Sequence, residues 1–179
     1  MIIKLSKKYI LIEDKKGRSK SFYLKNPYQK IDKKIIEFLK KYSSKNKNCD
    51  VRVCFHENNN SLHHDMLVLQ NKKNFYKPHM HSKCGDTIMC LYGKMGCFTF
   101  NKSGKITSNS LIKNGEFFKV KKKIYHAFIP VSSKTIFFEA RPGPFNPKAK
   151  QLIPTWSPKN ERNQRKFKKK LYSALNEKN

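Results

Sequence analysis

Apolar residues along this chain recur mainly with a period of two, in short runs separated by turn-rich stretches, as short antiparallel strands require. The middle of the sequence predicts strands at Val51 to His56, Met66 to Gln70, Tyr76 to His81, Thr87 to Tyr92, Lys94 to Asn101, Ile106 to Leu111, Glu116 to Val120, Ala127 to Pro130 and Thr135 to Ala140. Turns fall between them at Glu57 to Asn60, Asn71 to Asn74, Lys102 to Lys105, Lys113 to Gly115 and Ser132-Ser133. Earlier alternating runs, Ile2 to Leu5 and Tyr9 to Ile12, precede a turn-like Asp14-Lys15-Lys16-Gly17 and a further run, Ser21 to Leu24, and so predict an edge pair added to the sheet. The period changes to that of a helix twice. Ile35, Ile36, Leu39 and Tyr42 lie on one face of a segment from Asp32, its cap, to about Ser44, and Phe167, Leu171, Tyr172 and Leu175 form a narrow stripe within Asn160 to Glu177. The proline-rich stretch from Pro144 to Pro158 reads as a strap.

The expected architecture is therefore mostly β, a double-sheet jelly-roll barrel with one helix before it and one after it. Residues 1–49 supply strands and a helix that pack on the barrel, residues 50–145 form the barrel, and residues 146–179 form the strap and a basic helix. A chain of 179 residues can bury about two-thirds of its unfolded surface as one domain and needs no staples. No stretch approaches the apolar length of a membrane span, and the N-terminal residues lack the pattern of a signal peptide. Five cysteines without framework spacing fit a reducing compartment, so the expected location is the cytoplasm. Cys54, Cys90 and Cys97, on strands, are expected to be small buried apolar groups.

A formal charge of +28 invites a nucleic-acid reading. Against it, the forty basic residues include only Arg18, Arg52, Arg141, Arg162 and Arg165 as arginines, the residue type best suited to bidentate phosphate and base contacts, and the lysines are spread through every segment. A compositional bias towards Lys, Asn and Ile is the favoured explanation of the charge, and such a surface attracts anions of any kind.

The candidate chemistry lies in four residues. On a strand, His79 and His81 share a face, so both imidazoles can address one point. Asp86 follows the turn Ser82-Lys83-Cys84-Gly85, whose glycine would let the chain fold back, and His126 would arrive from a strand distant in sequence. Three imidazoles and one carboxylate suit a divalent transition metal and leave coordination positions open; Fe, Mn, Ni, Co, Cu and Zn all accept the set. Cys84 lies between two of these residues and thiolates bind soft metals, but it is left outside the ligand set.

Pro78-His79-Met80-His81, then Asp86 and Gly93, resemble the first motif of the cupins, with Asp86 where that motif usually has Glu. Gly115 through His126 is similar to the second motif, with Lys121 and Lys123 at its usual Pro and Gly positions. Arg52 to His56, His64-Asp65-Met66, Glu139-x-Arg141-Pro142-Gly143-Pro144-Phe145 and Trp156-Ser157-Pro158 extend the likeness to the WbuC-type cupin metalloproteins, from about Tyr28 to Glu161. The resemblance implies one metal ion and a place among proteins of surface polysaccharide synthesis.

Alternation also sets Arg52, Cys54 and His56 on one strand face and Phe137, Glu139 and Arg141 on another. Polar groups facing a barrel interior need partners or water. They either hold a ligand beside the metal or pair with each other, Arg52 with Glu139, as a structural device. His56 could also orient a ligand imidazole. His63 and His64, beside an Asn-rich turn, read as surface residues, and Tyr125 should point away from His126. Two functions follow. One is an enzyme acting on a sugar or sugar nucleotide, with Arg52, His56, Glu139 and Arg141 as substrate-binding residues and no assigned catalytic residue. The other is a non-catalytic module that binds or senses a small ligand or an anionic surface. A homodimer formed by sheet extension suits either.

Overall fold

A computed structural model of the chain describes residues 1–6, 9–14, 20–26, 29–144 and 152–176. Among them eleven strands and two helices follow in the order β1 (Ile2–Ser6), β2 (Tyr9–Glu13), β3 (Lys20–Leu24), α1 (Lys33–Lys45), β4 (Val51–Cys54), β5 (His63–Asn71), β6 (Asp86–Tyr92), β7 (Lys94–Phe100), β8 (Ile106–Lys113), β9 (Phe117–Val120), β10 (Tyr125–Pro130), β11 (Lys134–Pro142) and α2 (Glu161–Asn176). Eight form a sheet in the order β1-β2-β3-β4-β5-β11-β6-β9, and three form a second sheet, β10-β7-β8. This is the mostly β jelly roll expected, with a helix at either end. Residues 15–17 of the expected N-terminal turn, and the part of the strap from Phe145 to residue 151, lie outside the described residues.

Strand alternation sorts the side chains into layers. On the outer face of the large sheet Phe22, Leu24, Val51, Val53, Leu67, Leu69 and Ile136 are buried under Ile35, Phe38 and Leu39 of α1. Asp32 starts that helix as expected, its Oδ1 accepting from the amides of Lys34 at 2.8 Å and Ile35 at 3.3 Å. Its Oδ2 accepts from the Tyr9 hydroxyl at 2.7 Å, which ties the helix to β2. Between the sheets Ile88, Cys90, Met95, Cys97, Ile112 and Phe137 form the barrel core. Outside the small sheet Phe98, Phe100, Ala127 and Ile129 are covered by Leu171 and Leu175 of α2, from the stripe read in the sequence. Cys54, Cys90 and Cys97 are buried free thiols, as expected.

Two local expectations change. Tyr76 to His81 is not a strand: its backbone pairs only through isolated bridges, His79 with His126 and Met80 with Leu152 of the strap. His64 is a buried residue rather than a surface one, 3% exposed, on the inner face of β5, while His63 is exposed.

Candidate metal centre

The three histidines and the aspartate come from both walls of the barrel. His126 sits on β10 of the small sheet and is fully buried. His79 pairs with it through reciprocal backbone hydrogen bonds, His79 N to His126 O at 3.0 Å and His126 N to His79 O at 2.8 Å, so the two side chains emerge side by side. The amide of Lys123 donates to His81 O at 2.8 Å and continues this seam. Asp86 opens β6 in the large sheet, and its carboxylate crosses the interior to the imidazoles.

Gly85 places Asp86 by close approach rather than by an unusual φ. A Cβ there would lie 2.1 Å from Val120 O, so only glycine lets the loop pass against β9. Gly93, at φ +79°, makes the tight turn from β6 to β7. Lys123, at the position where the second motif usually has Gly, holds φ +62°. The left-handed turn is thus kept without its glycine, and His126 keeps its place.

One potential ligand atom from each of His79, His81, Asp86 and His126 lies within 4.8 Å of the others. Asp86 Oδ2 is 3.0 Å from His81 Nε2 and 3.1 Å from His126 Nε2. Two donors at adjacent corners of an octahedral ion, each about 2.1 Å from it, stand about 3 Å apart.

The surrounding hydrogen bonds settle which nitrogens face inward. His79 Nδ1 donates to Lys77 O at 3.0 Å and His126 Nδ1 to Ile124 O at 2.9 Å, which leaves each Nε2 lone pair directed at the cluster. A lone pair opposite a carboxylate oxygen at 3 Å requires a cation between them, either a second proton on the imidazole or a metal. His81 Nε2 lacks hydrogen-bond alignment despite its closeness to Asp86, and Asp86 Oδ1 is buried without a partner. Such orphaned atoms fit a metal better than a closed proton network.

Electrostatics point the same way. Burial, reinforced by the neighbouring His126, pushes His79 down to about 4, so its imidazole is neutral and able to ligate at pH 7. Burial works to raise the Asp86 carboxyl, but His126 and His81 outweigh it and hold the group well below the usual carboxylate range. Cys84 stands outside the ligand cluster.

Arg52, His56, Glu139 and Arg141 all belong to the barrel end that holds the centre. Arg52 is on β4 and Glu139 and Arg141 are on β11, with the inner face of the register shared by Arg141 and His64. The Arg52–Glu139 ion pair does not form: Glu139 Oε1 has Arg141 Nη1 at 4.0 Å instead. His56 stacks on His64 with ring centroids 4.1 Å apart and bonds Asp65 O at 3.2 Å, rather than meeting a ligand imidazole. Sequence reading missed His64, although carrying the period of two back from Met66 puts it on the inner face. Tyr125 points to the outer face, against Trp156, as expected.

A family model described as a domain of unknown function (DUF6016) matches residues 31–112, which include His79, His81 and Asp86 but not His126. No curated protein matches the sequence. Among solved structures the chain is similar to KdgF from Halomonas sp. (10% identity, 55% of this chain and 83% of that one, TM-score 0.45). It is also similar to a cupin-2 domain containing protein from Shewanella frigidimarina (13% identity, 50% and 78%, TM-score 0.41). A third similar structure is a Lactobacillus farciminis oxalate decarboxylase formate complex (12% identity, 51% and 26%, TM-score 0.43), of which this chain spans about a quarter. No helix among the described residues is long and apolar enough to cross a membrane.

Proposed function

We propose that this protein is a cupin metalloprotein holding one divalent transition metal (Fe, Mn, Ni, Co, Cu or Zn) through His79, His81, Asp86 and His126. The observation that carries the reading is the convergence of four ligand atoms within 4.8 Å, with two imidazoles locked by backbone carbonyls in the ligating tautomer. When bound, such an ion polarises an oxygen ligand and lowers the pKa of a coordinated water. The chain's own residues supply the rest: Asp86 offsets the positive charge, Lys77 O and Ile124 O orient the imidazoles, and the apolar barrel core of Ile88, Phe118 and Phe128 keeps bulk water from one side.

The substrate we assign is a sugar or sugar nucleotide of surface polysaccharide synthesis, on the strength of the WbuC-type resemblance, with Arg52, His56, Glu139 and Arg141 contacting it. Homodimerisation would use β1, the edge of the large sheet, where Ile2 is 71% exposed. The non-catalytic alternative, a module for a small ligand or an anionic surface, draws on the Asp86 and Lys121 departures from the motifs. A salt titration separates the two, because surface docking weakens steeply with ionic strength and a metal-centred pocket does not.

The deciding experiment is elemental analysis of wild type beside His126→Ala. About one equivalent of a single metal per chain, lost in the variant, supports the reading. No metal in either after reconstitution overturns it.

A further inference from the structure

Four strands end the two sheets, and β8 is the longest of them. β1, β9 and β10 have 5, 4 and 6 residues, and β10 is bridged by His79; β8 has 8 and, among the described residues, pairs only with β7. Natural sheet edges are blunted by charge, proline, bulges or brevity, because their free N–H and C=O groups recruit other strands. From Ile106 to Ile112 β8 carries no charge and no proline, and its register with β7 shifts once, between Thr99 and Phe100. α2 covers the outer face of the strand through Ile106 and Leu111 without pairing with its edge.

A groove of about 610 Å³ runs along this edge. One wall is the unbroken run from Lys105 to Asn109, and the other is Lys170, Ser173 and Ala174 of α2. Consecutive strand residues point to opposite faces, so a cavity touching every residue of that run follows the edge rather than either face. The helix residues, at i, i+3 and i+4, share one side of α2. Asn109 Nδ2 donates to Ala174 O and ties the two walls together. Four positions back on either wall stand Lys105 and Lys170, both exposed.

The surroundings of the groove are basic. Residues 102–113 hold three lysines and no acid, and residues 162–176 hold six basic residues and no acid. Lys168 is committed to the carbonyls of Lys72 and Asn74. The acids adjoining these segments are engaged: Glu161 lies 3.5 Å from Arg165, and Glu116 accepts from the Lys113 amide at 2.9 Å. Glu177 lies outside the described residues. We infer that the edge of β8 and this side of α2 form a docking groove for an extended acidic peptide segment of a partner protein, which adds a strand to the small sheet and sets its carboxylates against Lys105 and Lys170. Only another backbone matches the alternating donors and acceptors of a strand edge; a nucleic-acid phosphate or a lipid headgroup meets the donors alone. A second copy of this chain fits poorly, since pairing β8 with itself sets Lys105 and Lys113 against like charges in a chain of net charge +28. β7 separates the groove from His126 on β10, so docking goes beyond the proposed function and needs no metal.

The test is fluorescence anisotropy of a labelled peptide of alternating valine and threonine flanked by aspartates, titrated with full-length protein at about 0.15 M salt to screen the scattered lysines. Saturable binding is expected, weakened about tenfold or more by Lys105→Glu with Lys170→Glu, and as much by N-methylation of alternate peptide residues, which removes one line of backbone donors. Bound peptide should also slow deuterium uptake in the amides of β8. Lys33→Glu with Lys34→Glu, in the first turn of α1 on the large sheet, makes the same change in net charge and should leave binding unaltered. All four lysines are exposed, and circular dichroism checks that each variant folds. Absence of binding, equal loss in both variant pairs, undiminished binding of the N-methylated peptide, or tighter capture of oligothymidylate or phosphatidylserine vesicles through Lys105 and Lys170 would overturn the peptide groove.

Discussion

The two faces of the large sheet are built from the same strands and are opposite in character. Outward, Val51, Val53, Leu67, Leu69 and Ile136 are each no more than 1% exposed beneath α1, an apolar layer bordered by the hydrogen-bonded Asn71 and Ser43. Inward, the alternating residues of those strands and their neighbours include Arg52, Cys54, His64, Glu139, Arg141 and Asp86. The outer face gains free energy from burial at roughly 25 cal/mol per Å² of apolar area. The inner face carries buried polar atoms without partners, Arg52 Nε, His64 Nε2 and Asp86 Oδ1 among them. The comparison teaches that here stability and chemistry are separated by one residue of register, and that the outer layer, with its helix, offsets the polar groups placed on the inner one.

Substitutions can break that division. Gly85→Ala should have the largest effect, because its Cβ would collide with the Val120 carbonyl, backbone against backbone, at the point where the inner face delivers Asp86. A loss of about 3 kcal/mol in urea unfolding, together with reduced metal content, is expected. Leu39→Ala should cost a similar 2–5 kcal/mol, roughly, yet leave metal stoichiometry at wild-type level, since it opens a cavity only on the outer side. If Leu39→Ala emptied the centre, the two faces would not be separable.

As the pH falls, acid acts first on histidines inside the barrel and at its end. His56 and His79 are each held at about 4, against 6.5 when unfolded, by burial first and by a neighbouring histidine second. Between those values the unfolded chain binds more protons, so stability falls as pH drops from 6.5 towards 4 and levels off below. Asp86, held low, keeps its contribution through this window and loses it only as pH falls below the ordinary carboxylate value. Denaturant midpoints measured across the window should slope in wild type and slope less in His56→Gln. Metal release should follow the same direction as protons compete for the imidazoles. The smallest effect is a gain: Lys123→Gly, at φ +62°, should stabilise the metal-free protein by about 0.5–1 kcal/mol and leave the centre intact.

Much of this was legible in the sequence, because alternation decides which side chains share a wall. The strands from Thr87 to Ala140, the cap at Asp32 and the stripe Phe167, Leu171, Tyr172 and Leu175 all follow from local periodicity. The convergence of His79, His81, Asp86 and His126 was legible from spacing and from the cupin resemblance. What stayed hidden depends on pairing between distant segments. The segment before His81 alternates like a strand, yet only His79 and Met80 find partners, and one of those comes from the strap. His64 looked like part of a polar turn because the strand that buries it begins one residue earlier, at His63. The pairing of Arg52 with Glu139, one of two alternatives the sequence left open, is absent because β5 lies between β4 and β11, whereas Arg141, two residues along the same strand, comes within 4.0 Å.

The reciprocal backbone bonds between His79 and His126 have a dynamic consequence. Two of the ligands donate their own main-chain N–H groups to each other, so the amides of the centre are also a gauge of it. Metal occupancy should appear as slowed deuterium uptake at these two positions, while the amides of α1 on the far side of the sheet keep their rate.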